Sequence, residues 1–144
     1  MINLEIINDL NNKFKLLKSP TKKIVSNIIF NESKYENILM SIIIVDDEYL
    51  RTLKIKYFDI DVFTDVITFN LSDNKKDLEA EIYISWDRVN DNAKKFEQQI
   101  ENEIKRVIIH GCLHLVGFKD FTLEEKKDMI KKEQEYMNKD IIIQ

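Results

Sequence analysis

The sequence predicts an α+β domain, a small mixed four-stranded sheet packed by helices. Three observations predict it. Short runs rich in isoleucine, valine and aromatic residues occur in the first 85 residues and alternate with helical-period segments. From about residue 87 the apolar period is helical almost to the end. The chain of 144 residues is the length of a single domain with one core, and it holds no interior linker, repeat or low-complexity tract, so residues 1–144 are expected to form one unit.

Each element has its own signal. Residues 3–7 read as an opening strand. Pro20, preceded by Ser19, suits the first turn of a helix running to about Ser33, with Ile24, Val25, Ile28 and Ile29 on one face. Residues 38–45 form a continuous apolar run of strand length. Asp46 or Asp47 can cap the following helix through Tyr49, Leu50 and Leu53. Residues 66–70 and 81–85 read as two further strands. Ala93 and Phe96 belong to one helical piece, and Ile100, Ile104, Val107, Ile108 and Leu115 form the stripe of a longer helix. Gly117 stands where that helix should stop, because glycine accepts the left-handed conformation of many helix ends. Thr122 and Glu125 make a capping box for a last helix through Met129, Ile130, Glu133 and Met137. Residues 141–143 either dock on the core or fray.

Composition narrows the function classes. With 44% hydrophobic and 33% charged residues the mix is that of a soluble globular protein. The net charge of −4 argues against a chain coated with positive charge but leaves room for a local basic patch. Lys13, Lys15, Lys18, Lys22 and Lys23 form such a block, with no acid between them. The single cysteine, Cys112, excludes an internal disulfide. No basic segment followed by a long apolar run opens the chain, and no apolar run approaches the ~20 residues that span a bilayer. A cytoplasmic protein with no membrane partner is expected.

The chemistry is concentrated in HGCLHLVGFKD, residues 110–120, which contain both histidines and both glycines of the chain. Residues four apart share a helix face, so His110 and His114 present their rings to one point. That is half of a zinc site. Gly117 turns the chain back, bringing the carboxylate of Asp120 close enough to be a third ligand. Three protein ligands with one open position is the arrangement of catalytic zinc. Gly111 removes a side chain beside the first ligand, so substrate or another element can approach. In the zinc-peptidase pattern HExxH the residue after the first histidine is a glutamate base. Here it is Gly111, which argues against the usual peptidase chemistry.

These residues also resemble a known family. HGCLHLVGFKD is similar to HGxLHLxGYDH, the signature of the YbeY endoribonucleases, the bacterial rRNA maturation factors. TDVITF (64–69) resembles the family's TDVLSF strand, EIYIS (81–85) its GDIxIS strand, and DDEYLRTLKIKYF (46–58) the helix and loop before the TDV strand. The resemblance covers about two-thirds of the chain. It implies a layered fold whose metal-bearing helix is like that of metalloproteases. It also implies a metal-dependent, single-strand-specific endoribonuclease that processes rRNA, especially the 16S 3′ end, and serves ribosome quality control. The partners implied are rRNA or other single-stranded RNA and the small ribosomal subunit or its assembly intermediates.

The chain departs from the family pattern at informative places. Asp120 aligns with the third histidine, Lys119 with the preceding aspartate, Ala80 with a glycine, and Phe58 with an arginine suited to phosphate contact. Arg106, one turn before His110, is the preferred substitute for that arginine, with Arg51, Lys54 and Lys56 as alternatives. The expected cofactor is one Zn²⁺ per chain on His110, His114 and Asp120, although an oxygen ligand also admits Mn²⁺ or Fe²⁺. No general base is identified. The rival expectations are a non-catalytic ribosome assembly factor with a structural metal, and a metallohydrolase of another substrate.

Overall fold

The computed structural model describes residues 1–10 and 14–144, so Lys13 of the basic block lies outside the described residues. The strands are β1 (Ile2–Asn8), β2 (Asn37–Val45), β3 (Val66–Asn70) and β4 (Asp77–Ser85). The helices are α1 (Lys18–Glu32), α2 (Asp47–Phe58), α3 (Trp86–Lys95), α4 (Ile100–Leu115) and α5 (Leu123–Tyr136). The sheet order is β1-β2-β4-β3. β1, β2 and β4 run parallel, while β3 pairs antiparallel with β4, placing Val66 opposite Ile84. This is the mixed four-stranded α+β sheet expected from the sequence.

Strand alternation creates two apolar layers. Ile38, Met40, Ile42 and Ile44 of β2, with Leu78, Ala80, Ile82 and Ile84 of β4, face the main core. Ile24, Val25, Ile28 and Ile29 of α1 pack there, as do Ile104, Val107, Ile108 and Cys112 of α4. Ile43, Val45 and Ile67 point to the other face and meet Leu50 of α2 in a smaller cluster. Residues 42–45 of β2 are buried on both faces and read as an unbroken apolar run, whereas Leu39 is exposed and Ser41 half-buried.

Helix ends follow local chemistry. Asp46 accepts from the Tyr49 backbone N–H at 2.8 Å to start α2, and Ser85 caps α3 through the Arg88 N–H at 3.2 Å. The Thr122–Glu125 capping box is present in both directions. Gly117 follows the end of α4 with φ of +105°, a conformation that a Cβ would strain.

One boundary differs from the sequence expectation. β4 begins at Asp77, four residues early, because Leu78 and Ala80 point into the core between exposed Asp77 and Glu79. Phe96 is exposed and closes α3, while Ala93 of the same piece is buried. In α5, Ile130 is exposed and Met129 and Glu133 turn inward. The C-terminal segment docks on the core, one of the two outcomes expected for it. Ile142 is fully buried, Gln144 donates to the Lys15 carbonyl at 2.9 Å, and the buried Lys105 ammonium donates to the Asn138 carbonyl at 3.0 Å.

Candidate metal centre

α4 is the most buried helix, and its C-terminal end carries His110 and His114 to the wall of an open cleft beside β3. Gly111 faces the sheet. A Cβ there would stand 3.3 Å from the Thr68 methyl and 3.4 Å from Ile82 Cγ2. The element that this glycine lets approach is therefore the sheet. A glutamate at 111 would press on the same atoms.

Ring orientation in the two histidines is set by what their Nδ1 atoms face. His114 Nδ1 lies 2.9 Å from the Phe118 carbonyl oxygen, which can only accept, so Nδ1 carries the proton. His110 Nδ1 lies 2.6 Å from Glu133 Oε2, another acceptor, with the same consequence. Both Nε2 atoms then present lone pairs, and these lie 2.9 Å apart. Asp120 Oδ2 completes the group at 3.3 Å from His110 Nε2 and 3.4 Å from His114 Nε2. Three electron-pair donors thus face one point. A shared proton satisfies one contact, whereas a divalent ion satisfies all three. Ligands bound at about 2.0–2.2 Å in tetrahedral directions sit about 3.3–3.6 Å from one another, which the two Asp120 separations match and the Nε2–Nε2 separation undercuts by about 0.4 Å. His110, His114 and Asp120 are the cluster able to hold a metal among the described residues. All three are partly accessible, so the centre opens onto the cleft.

Around this centre the cleft carries Lys54 and Phe58 from the end of α2, Thr64, Asp65 and Thr68 from the β3 segment, and Phe118, Lys119 and Phe121 after α4. The Lys54 ammonium lies 4.7 Å from the centre of the Phe58 ring, and neither Lys54 nor Lys119 makes an ion pair among the described residues. Phe58 and Phe121 are exposed.

Arg106 occupies a different setting. Its guanidinium bonds Glu103 at 2.5 Å and Asp65 at 3.1 Å, and approaches Glu133 at 3.6 Å. Burial opposes its charge, yet the bond to Glu103 and the fields of all three carboxylates raise its pKa above the ordinary guanidinium value. It lines a neighbouring depression with Gln98 and Gln134, not the cleft of the histidines. Of the alternatives, Arg51 is held by Asp61 at 2.6 Å and Glu48 at 3.3 Å, Lys56 lies against Tyr57, and only Lys54 reaches the cleft. Lys15, Lys18, Lys22 and Lys23 do not line it, and Lys23 pairs with Asp140. Glu133 escaped the sequence reading as a site residue. Its one signal was a carboxylate on a helix stripe that otherwise calls for apolar residues.

Known proteins share the sequence and fold of this chain. The family model described as endoribonuclease YbeY matches residues 5–140. A protein of Amoebophilus asiaticus named endoribonuclease YbeY is 42% identical over 123 residues, covering 83% of this chain and 84% of that protein. Its counterpart in Cytophaga hutchinsonii is 42% identical over 107 residues, covering 74% and 75% of the two chains. The solution structure of TM1509 from Thermotoga maritima superposes with a TM-score of 0.60 at 29% identity, covering 93% of this chain and 86% of that one.

Proposed function

The chain belongs to the endoribonuclease YbeY family, and from that premise we propose that it is an rRNA-processing endoribonuclease whose catalytic centre is formed by His110, His114 and Asp120. The observation that carries this reading is the convergence of two imidazole lone pairs and a carboxylate in an open cleft. When bound there, a divalent ion supplies Lewis-acid chemistry toward water or a phosphate oxygen. Zn²⁺ suits the two imidazoles, and the Asp120 oxygen widens the choice to Mn²⁺ or Fe²⁺.

The surrounding side chains supply the means to hold a nucleic acid strand. Lys54 and Lys119, both lining the cleft, offer cations to backbone phosphates. Phe58 and Phe121 offer exposed rings on which unpaired bases stack. Bases in a duplex are already stacked on each other, so this arrangement favours single-stranded RNA. We assign the phosphate contact to Lys54 in preference to Arg106, whose guanidinium is turned to three carboxylates. The 16S 3′ end and the small ribosomal subunit or its assembly intermediates are the proposed substrate and partner in the cytoplasm. No helix among the described residues is long and apolar enough to cross a membrane.

The test is cleavage of single-stranded and duplex rRNA fragments by the purified protein, with chelator and with restored Zn²⁺. Cleavage of the single strand that chelator abolishes and Zn²⁺ restores is expected. A protein that binds metal yet cleaves neither substrate would be an assembly factor instead, a reading favoured only by the absence of an arginine from the cleft wall.

A further inference from the structure

Glu133 has a chemistry that does not match its surroundings. It lies on the inward stripe of α5 beside Met129 and is only 7% exposed. A carboxylate in such a place is unfavourable unless its charge and lone pairs are met. Its oxygens are divided between two partners on α4. Oε2 meets His110 Nδ1 at 2.6 Å, and Oε1 faces the Arg106 guanidinium at 3.6 Å. Arg106 is itself fixed by Glu103 and Asp65.

We propose that Glu133 is a positioning residue of the metal centre, an anion delivered by α5 that locks the His110 ring with Nε2 aimed at the ion, with Arg106 as the counter-charge that lets it sit there. An anionic acceptor on Nδ1 fixes ring rotation and tautomer and makes Nε2 a stronger electron-pair donor. His114 has only a neutral carbonyl, that of Phe118, in the same role. The two imidazoles are therefore unequal, with His110 the stronger ligand. The centre thus depends on α5, although α5 contributes no ligand. The proposal rests on the reading that His110, His114 and Asp120 bind a divalent ion. The competing explanation is that the Glu133–Arg106 pair merely pins α5 to α4.

The experiment uses the full chain, stripped by chelator and titrated with Zn²⁺ against a competing chromophoric chelator. Co²⁺ absorption reports the ligand field, and thermal unfolding of the metal-free form reports the fold. Glu133→Gln keeps the size and an acceptor oxygen but loses the charge. It should weaken Zn²⁺ binding about 10- to 100-fold and alter the Co²⁺ spectrum, with Glu133→Asp falling between it and wild type. Unchanged affinity and spectrum in Glu133→Gln, whatever happens to its melting temperature, overturn the proposal and leave a packing role. If Glu133→Gln does not fold, Glu133→Asp carries the test. It keeps the charge but draws the carboxylate about 1.5 Å back from the ring, and Zn²⁺ binding as tight as wild type overturns the idea. Failure of wild type itself to bind Zn²⁺ or Co²⁺ refutes the metal reading first, and this proposal with it.

Discussion

Replacing Asp120 with alanine isolates the third ligand. Asp120 is about one-third exposed, and among the described residues its carboxylate faces only the Nε2 atoms of His110 and His114, so the metal-free fold should tolerate the change. Structural zinc sites bind with about 10–16 kcal/mol over four ligands, or roughly 2.5–4 kcal/mol each, so one lost ligand weakens binding by about 10²–10³-fold. Binding to the folded state stabilises it by RT ln(1 + [L]/Kd), which is about 2.7 kcal/mol at 100 times Kd. An unfolding entropy of about 0.3 kcal/mol/K for a chain of this length turns that into a melting shift of about 9 °C. At the same Zn²⁺ concentration a variant bound 100-fold more weakly gains only about 0.4 kcal/mol, or about 1 °C. Thermal unfolding of stripped protein, with and without Zn²⁺, measures both shifts. An Asp120→Ala protein that still gains about 9 °C would show that the carboxylate is a turn residue and that the third ligand lies elsewhere.

Asp120→His exchanges an anionic ligand for a neutral one, leaves the centre more positive, and should move the rise of activity with pH toward neutral while metal stays bound; an unmoved profile by initial-rate assay counts against a carboxylate ligand. Arg106→Ala strands the nearly buried carboxylates of Glu103 and Glu133 without their cation and should cost about 3–5 kcal/mol, a loss of about 10–17 °C in melting temperature. A loss below about 1 kcal/mol in urea unfolding would mean that the network contributes little. Lys54→Ala should weaken RNA binding at all sequences, lower the log–log salt slope by about 0.7 for a single strand, and leave Zn²⁺ uptake unchanged; an unaltered slope removes Lys54 from the strand path. Burial pushes the Cys112 thiol up to about 12, so at pH 8 only about one thiol in 10⁴ is ionised and native protein should resist iodoacetamide until it unfolds. Rapid labelling of folded protein would contradict that burial.

Much of the fold was legible because it is written in local periodicity. The stripe Ile24, Val25, Ile28 and Ile29, the run 38–45 and the capping box at Thr122 each depend on neighbours within a turn or a strand, and each appears where expected. The start of β4 was not legible, since Leu78 and Ala80 sit between acids and only pairing with Ile38 and Met40 makes that segment a strand. The inward face of α5 was not legible for a related reason. Which stripe of α5 turns inward is decided by what waits on α4, where Arg106 and His110 favour a carboxylate over an isoleucine.

The same division holds at the site. The sequence by itself determined the two histidines on one helix face, the glycine that ends that helix, and the aspartate that follows, because helix geometry and glycine's freedom act over a few residues. Only the tertiary structure decided which nitrogens face the centre, since Phe118 and Glu133 approach Nδ1 of each ring and leave both Nε2 atoms free. It also decided which cation enters the cleft. Arg106 and Lys54 are equally charged in the sequence, but three carboxylates brought together from residues 65, 103 and 133 hold the arginine, while no such group holds the lysine. Charge is a property of the residue, but its availability depends on partners far away in the chain.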